Sequence, residues 1–119
     1  MAAGPHDCVE DPRNAGVKIY LNGVLVPREK ALVSIFDSGF LMGDGIWEGL
    51  RVHHGQVPYL DAHLKRLSQG AKALDLDIGL SAAQLRDAVM RTLEANQMVD
   101  GVHIRLMVTR GLKRTPFQG

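Results

Sequence analysis

The chain has 119 residues, 45% hydrophobic and 23% charged, with a formal net charge of +1. That length suits one domain with a core of moderate size, and the composition is that of a globular protein. The near-neutral balance gives no electrostatic case for nucleic acid or an anionic membrane, and no apolar run is long enough to span a bilayer.

The N-terminal stretch MAAGPHDCVEDPRNAG has no apolar h-region and carries acids, so it reads as neither a secretory signal nor an organelle presequence. Gly4, Pro5, Pro12 and Gly16 mark residues 1–16 as a flexible arm before a domain over 17–119. Cys8 is the only cysteine, which excludes an internal disulfide and points to a cytoplasmic setting.

Lys18 to Leu21 and Val24 to Val26 are short apolar runs separated by Asn22-Gly23. That dipeptide predicts a two-residue hairpin turn, because both central positions need positive φ. Pro27 ends the second strand or places it at an edge. Ala31 to Phe36 reads as a short extended piece leading into the most unusual stretch, DSGFLMGDGIWEGLR at Asp37 to Arg51. Its four glycines among large apolar residues suggest backbone held tightly against something. From Ile46 the pattern becomes strand-like, with Ile46, Glu48, Leu50 and Val52 on one face and Trp47, Gly49 and Arg51 on the other. An indole, a bare backbone and a guanidinium side by side suit a small-molecule pocket, although a glycine-rich apolar turn is more often a plain hairpin corner. His54-Gly55 reads as a second turn and Gln56 to Leu60 as the partner strand, giving an open antiparallel meander.

The pattern then turns helical. Leu64, Leu67, Ala71 and Leu74 make one stripe of a helix from Asp61 to about Leu74, with Asp61 as N-cap. A second helix runs from Ala82 to about Asn96, opened by a Ser81–Gln84 capping box and striped by Leu85, Val89 and Leu93. Val102 to Thr109 is a strand whose aliphatic residues alternate with His103, Arg105 and Met107. Arg110 to Gly119 is a polar, basic tail. The expected fold is α+β, a largely antiparallel sheet with two helices packed on one face.

Individual residues have bland readings beside the sharper ones. Arg66, three residues after His63 on one helix face, borders the apolar stripe and can either snorkel into water or grip a phosphate or carboxylate. Arg51 and Arg105 on strand faces meet either solvent or an anion. Arg110, Lys113 and Arg114 form a solvated loop or an anion-binding one. His53 and His54 are expected on opposite faces of a strand. No zinc motif, Walker loop, dinucleotide fingerprint or Gly-x-Ser-x-Gly elbow is present.

Four motifs in order carry a resemblance: LNG at Leu21 to Gly23, DSGFLMGDGIWEGLRV at Asp37 to Val52, HLKRL at His63 to Leu67, and HIRLMVTRG at His103 to Gly111. Together they resemble the N-terminal part of the class IV, fold-type IV pyridoxal-phosphate enzymes, which include branched-chain aminotransferases, D-amino-acid aminotransferases and aminodeoxychorismate lyase. The resemblance implies pyridoxal 5'-phosphate as cofactor, with Arg66 gripping its phosphate and Trp47 walling the substrate side. Tryptophan is larger than the family's usual aromatic there. Arg51 and Arg105 match positions that are arginine in branched-chain-type members and line the substrate region. Lys113 or Arg114 falls near the loop that traps substrate carboxylate in D-amino-acid members, at a spacing that departs from theirs. The resemblance also implies an amino acid and a 2-oxo acid as substrates, and a homodimer. The family's Schiff-base lysine lies in a second domain beyond the TRG motif, and Lys18, Lys30, Lys65, Lys72 and Lys113 match no such position. The expectation is therefore a small domain that is inactive without its second domain. The alternatives are a non-catalytic interaction module and a lyase of the aminodeoxychorismate type.

Overall fold

The computed structural model of the chain describes residues 10–113. Pro12–Gly16, within the expected arm, forms a 3-10 turn capped by Asp11, whose side chain accepts from the Arg13 N–H. Strands β1 (Lys18–Leu21) and β2 (Val24–Pro27) make the expected hairpin. Asn22 and Gly23 both take positive φ, 51° and 91°. Ala31 to Phe36 is not a strand: Leu32, Val33, Ile35 and Phe36 are exposed. No named strand pairs with that backbone among the described residues; Leu32 N–H bonds to Lys30 O and Asp37 N–H to Ser34 O within the loop, while Phe36 O accepts from Lys113 N–H at 2.9 Å.

A short helix, α1 (Ser38–Met42), then appears where no apolar stripe announced one, since five residues are too few to show a period. Its ends carry the signal instead. The Asp37 carboxylate accepts from Gly39 N–H at the start, and Gly43 closes the helix at φ 66°, a conformation glycine adopts without steric cost.

Strand β3 (Gly45–Val52) pairs antiparallel with β4 (Val102–Thr109), not with Gln56 to Leu60. The latter contributes one isolated bridge, His53 to Gln56, because the chain turns into a helix at Tyr59 before a ladder can form. The register puts Ile46 opposite Val108, Glu48 opposite Leu106, Leu50 opposite Ile104 and Val52 opposite Val102. This inner face is the floor of the core. Helix α2 (Leu60–Ala73) begins one residue earlier than expected. Its cap is Tyr59, in the left-handed region and without a side-chain bond, while Asp61 lies inside the first turn and pairs with Arg86. There the carboxylate still favours the helix's positive end. Helix α3 (Ala82–Asn96) opens with the expected capping box, its two bonds 2.9 and 3.2 Å long.

Leu60, Leu64 and Leu67 of α2 and Leu85, Val89 and Leu93 of α3 pack with Leu50 and Val52 into one cluster. Each such side chain contributes roughly 1.5–3 kcal/mol by leaving water. Helix α2 lies against β3, and α3 against β1. The fold is thus α+β with the helices on one face, but the strands form two separate two-stranded ribbons. Asn96 ties the first ribbon to α3, accepting from Lys18 N–H at 2.7 Å and donating to Lys18 O at 2.9 Å. Among the described residues no helix is long and apolar enough to cross a membrane.

Candidate active site

The glycine-rich corner is locked to the end of β4. Asp37 uses one oxygen to cap α1 and the other to accept from Thr109 Oγ1 at 3.0 Å. A Cβ on Gly45 would lie 2.8 Å from Val108 O, so the two backbones meet too closely for any side chain there. Arg110 donates from Nε to Asp44 at 2.6 Å and from Nη2 and Nη1 to Leu74 O and Asp75 O at 2.7 and 3.1 Å. One guanidinium thereby joins the corner to the C-terminal end of α2. Arg110 is spent on structure and is not a free anion binder.

Beneath this corner, β3 and α2 meet at a buried charge. Glu48, 3% exposed, sits on the inner face among leucines. Arg66 donates to it through Nε and Nη2, both at 2.6 Å, and His63 Nδ1 lies 2.9 Å from Oε2. A buried carboxylate survives only with such partners. The Arg66 hydrogen bonds outweigh the cost of burial and, with His63 helping, hold the Glu48 carboxyl down at about 2. Arg66 itself remains 71% exposed. Its Nη1 has no acceptor among the described residues and faces outward as a fixed, cationic donor.

The outer face of the ribbon is different in kind. Trp47 and Met107 are opposite one another and both more than half exposed. The Arg105 guanidinium lies 4.4 Å over the Trp47 ring, a cation–π contact. The His103 ring covers Gly49, where an added Cβ would come within 3.1 Å of it. Arg51 is opposite His103. No carboxylate pairs with Arg51 or Arg105 among the described residues. This is an exposed, aromatic and cationic surface able to take an anionic, partly apolar ligand.

The structure thus brings Trp47, Arg51 and Arg105 together on one face and places Arg66 at the other side of β3. Two cavities among the described residues, one lined from segment 15–29 and one from segment 68–80, involve neither Trp47 nor Arg66. Arg114 lies outside the described residues. His53 and His54 are not split across a strand: their rings lie 4.0 Å apart, both near Asp100. Sequence reasoning missed the linkage of Glu48 to His63 and Arg66, and missed His103. A signal for the first was present: Glu48 is an acid on the face it shares with Ile46, Leu50 and Val52, where burial demands a cationic partner.

Against known proteins, the amino-transferase class IV family model matches residues 45–117, more than half of the chain. The chain belongs to the class IV aminotransferases. It is 46% identical over 104 residues to the branched-chain-amino-acid aminotransferase-like protein 2 of Arabidopsis thaliana, covering 87% of this chain and 19% of that one. It is 36% identical over 95 residues to the D-alanine aminotransferase of Bacillus licheniformis, covering 80% and 33%. Among solved structures, the branched-chain aminotransferase of the thermophilic archaeon Thermoproteus uzoniensis with norvaline superposes with a TM-score of 0.72 at 33% identity. That match covers 78% of this chain and 33% of the other. A branched-chain amino acid aminotransferase complexed with N-(5'-phosphopyridoxyl)-L-glutamate superposes with a TM-score of 0.75 at 26% identity, over 82% of this chain and 34% of that one. The chain spans about a fifth to a third of the length of the curated relatives it matches.

Proposed function

We propose that this chain is the small domain, residues 17–119, of a pyridoxal-phosphate-dependent aminotransferase that moves an amino group between a branched-chain-type amino acid and a 2-oxo acid. The observation that carries the reading is Arg66, an exposed guanidinium whose fork is held by a buried carboxylate and whose outer N–H groups meet no acceptor among the described residues. That donor set fits a phosphate monoester. The fit is to the phosphate end only, and no lysine of this chain is assigned the covalent role.

When bound, pyridoxal phosphate supplies the carbonyl that takes up the amino group and the electron sink for the bond that breaks. Arg66 binds and orients its phosphate. Trp47 walls the substrate side, stiffened by Arg105 stacked on it. Arg51 and Arg105 attract and orient substrate carboxylate, with Arg114 assigned to the same task. The branched-chain preference is supported by the two arginines and by the higher identity to the branched-chain-type relative. The proposal extends to a homodimer in the cytoplasm, with the lysine supplied by a second domain.

The test mixes the chain with pyridoxal phosphate, leucine and 2-oxoglutarate, and reduces a parallel sample with borohydride. The reading predicts phosphate-dependent binding, no stoichiometric adduct on one lysine and no glutamate formed by this chain alone. Turnover with a single-lysine adduct overturns the division of labour. Equal binding of pyridoxal and pyridoxal phosphate overturns the role of Arg66.

A further inference from the structure

We infer that Glu48, braced by His63, is a positioning residue for anion capture: it aims the Arg66 guanidinium at a phosphate monoester although its own charge repels that ligand. The inference rests on the reading of Arg66 as a phosphate anchor and adds the pair that sets its geometry.

A guanidinium has five N–H groups in a rigid plane. Two of them, on Nε and Nη2, meet Oε1 and Oε2 of Glu48 at 2.6 Å, the parallel arrangement that fixes the whole plane. The remaining N–H of Nη2 and both of Nη1 are directed away from the carboxylate. Glu48 cannot swing, because it is 3% exposed on the core face of β3. His63, one turn before Arg66 on α2, holds Oε2 from a second direction at 2.9 Å. Among the described residues nothing else hydrogen-bonds the Arg66 guanidinium. Without Glu48, a side chain that is 71% exposed has nothing among them to hold it.

Two effects of opposite sign then compete. Glu48 cancels the charge of Arg66, so the pair is neutral overall and removing the carboxylate ought to strengthen attraction for phosphate. Removing it also frees a long, rotamer-rich side chain that the ligand must then order. The first effect is moderated because Glu48 lies behind the guanidinium and the ligand meets Arg66 on its solvent side, where the side chain is 71% exposed and charges are screened. The second is worth roughly tenfold in affinity for an arginine immobilised on binding. Positioning therefore wins, and the sign of the change separates the two accounts.

The experiment titrates the full chain with inorganic phosphate and follows the arginine Nε–H signals by NMR, in the wild type and in Arg66→Ala, Glu48→Gln and His63→Ala. The unliganded wild type shows a slowly exchanging, immobile Nε–H that Arg66→Ala removes while the signal of the separately bonded Arg110 Nε–H stays. Glu48→Gln is expected to lose that protection and to bind phosphate roughly tenfold more weakly. His63→Ala, which leaves the ion pair in place, gives a smaller loss in the same direction and serves if Glu48→Gln does not fold. If Glu48→Gln or His63→Ala binds phosphate as well as or better than the wild type while Arg66→Ala abolishes binding, the inference is wrong and the anchor stands. If Arg66→Ala binds as well as the wild type, or the wild type binds none, the anchor falls and the inference with it.

Discussion

Glu48→Gln tests the buried ion pair through its pH dependence. The substitution keeps the size of the side chain and removes its charge, so Arg66 and His63 exchange a two-oxygen carboxylate for a single neutral amide oxygen. In the folded chain the Glu48 carboxyl titrates at about 2 against an ordinary 4.5. The unfolded chain thus binds the proton more readily, and stability rises with pH across that interval. The gap corresponds to about 3 kcal/mol, in line with the loss on breaking a buried pair, and towards its lower end because Arg66 can reach water. This contribution is complete above about pH 4.5 and is lost as the pH falls towards 2. Urea unfolding of both proteins at several pH values measures it. A midpoint shift of roughly 1–2 M is expected at pH 7, closing progressively below pH 4.5. The other carboxylates titrate in both proteins and cancel in the difference. A gap that stays constant from pH 7 to pH 2, or no gap at pH 7, refutes the reasoning.

Other substitutions probe the frame that carries the site. Arg110→Ala removes the contacts to Asp44, Leu74 O and Asp75 O and is expected to lower the urea midpoint, with hydrogen exchange rising first in the corner 37–45. Ser81→Ala breaks the α3 capping box and should cost about 1 kcal/mol, read as a fall in the urea midpoint. Ser38→Ala should be neutral or stabilising by up to about 1 kcal/mol, because the buried Ser38 Oγ has no partner among the described residues and its removal relieves a desolvated hydroxyl; a loss above that size would show a bond not accounted for.

What was legible in the sequence divides along physical lines. Periodic elements were readable: the Asn22-Gly23 hairpin, both long helices, the α3 capping box and the alternation that splits Glu48 from Trp47 and Arg51. Helix α1 was not, because a single turn has no period and is defined by its caps, Asp37 and Gly43. The partner of β3 was misassigned because a nearby apolar run costs less loop entropy to pair than one roughly fifty residues away; packing of α2 and α3 beneath the ribbon overrides that preference. Position on a face was legible for Trp47, Arg51, Arg66 and Arg105, but partnership was not. Nothing in the spacing of Asp44 and Arg110, or of Glu48 and Arg66, distinguishes an arginine that is consumed by structure from one that keeps outward donors. The first has its fork closed on one carboxylate and two carbonyls, the second on one carboxylate alone.

The most direct measurement is a crystal structure of the chain with pyridoxal phosphate bound. The account predicts phosphate oxygens within hydrogen-bond distance of Arg66 Nη1 and Nη2, with Nε still on Glu48. A phosphate held instead on the outer face by Arg51 and Arg105, with Arg66 untouched, would contradict it.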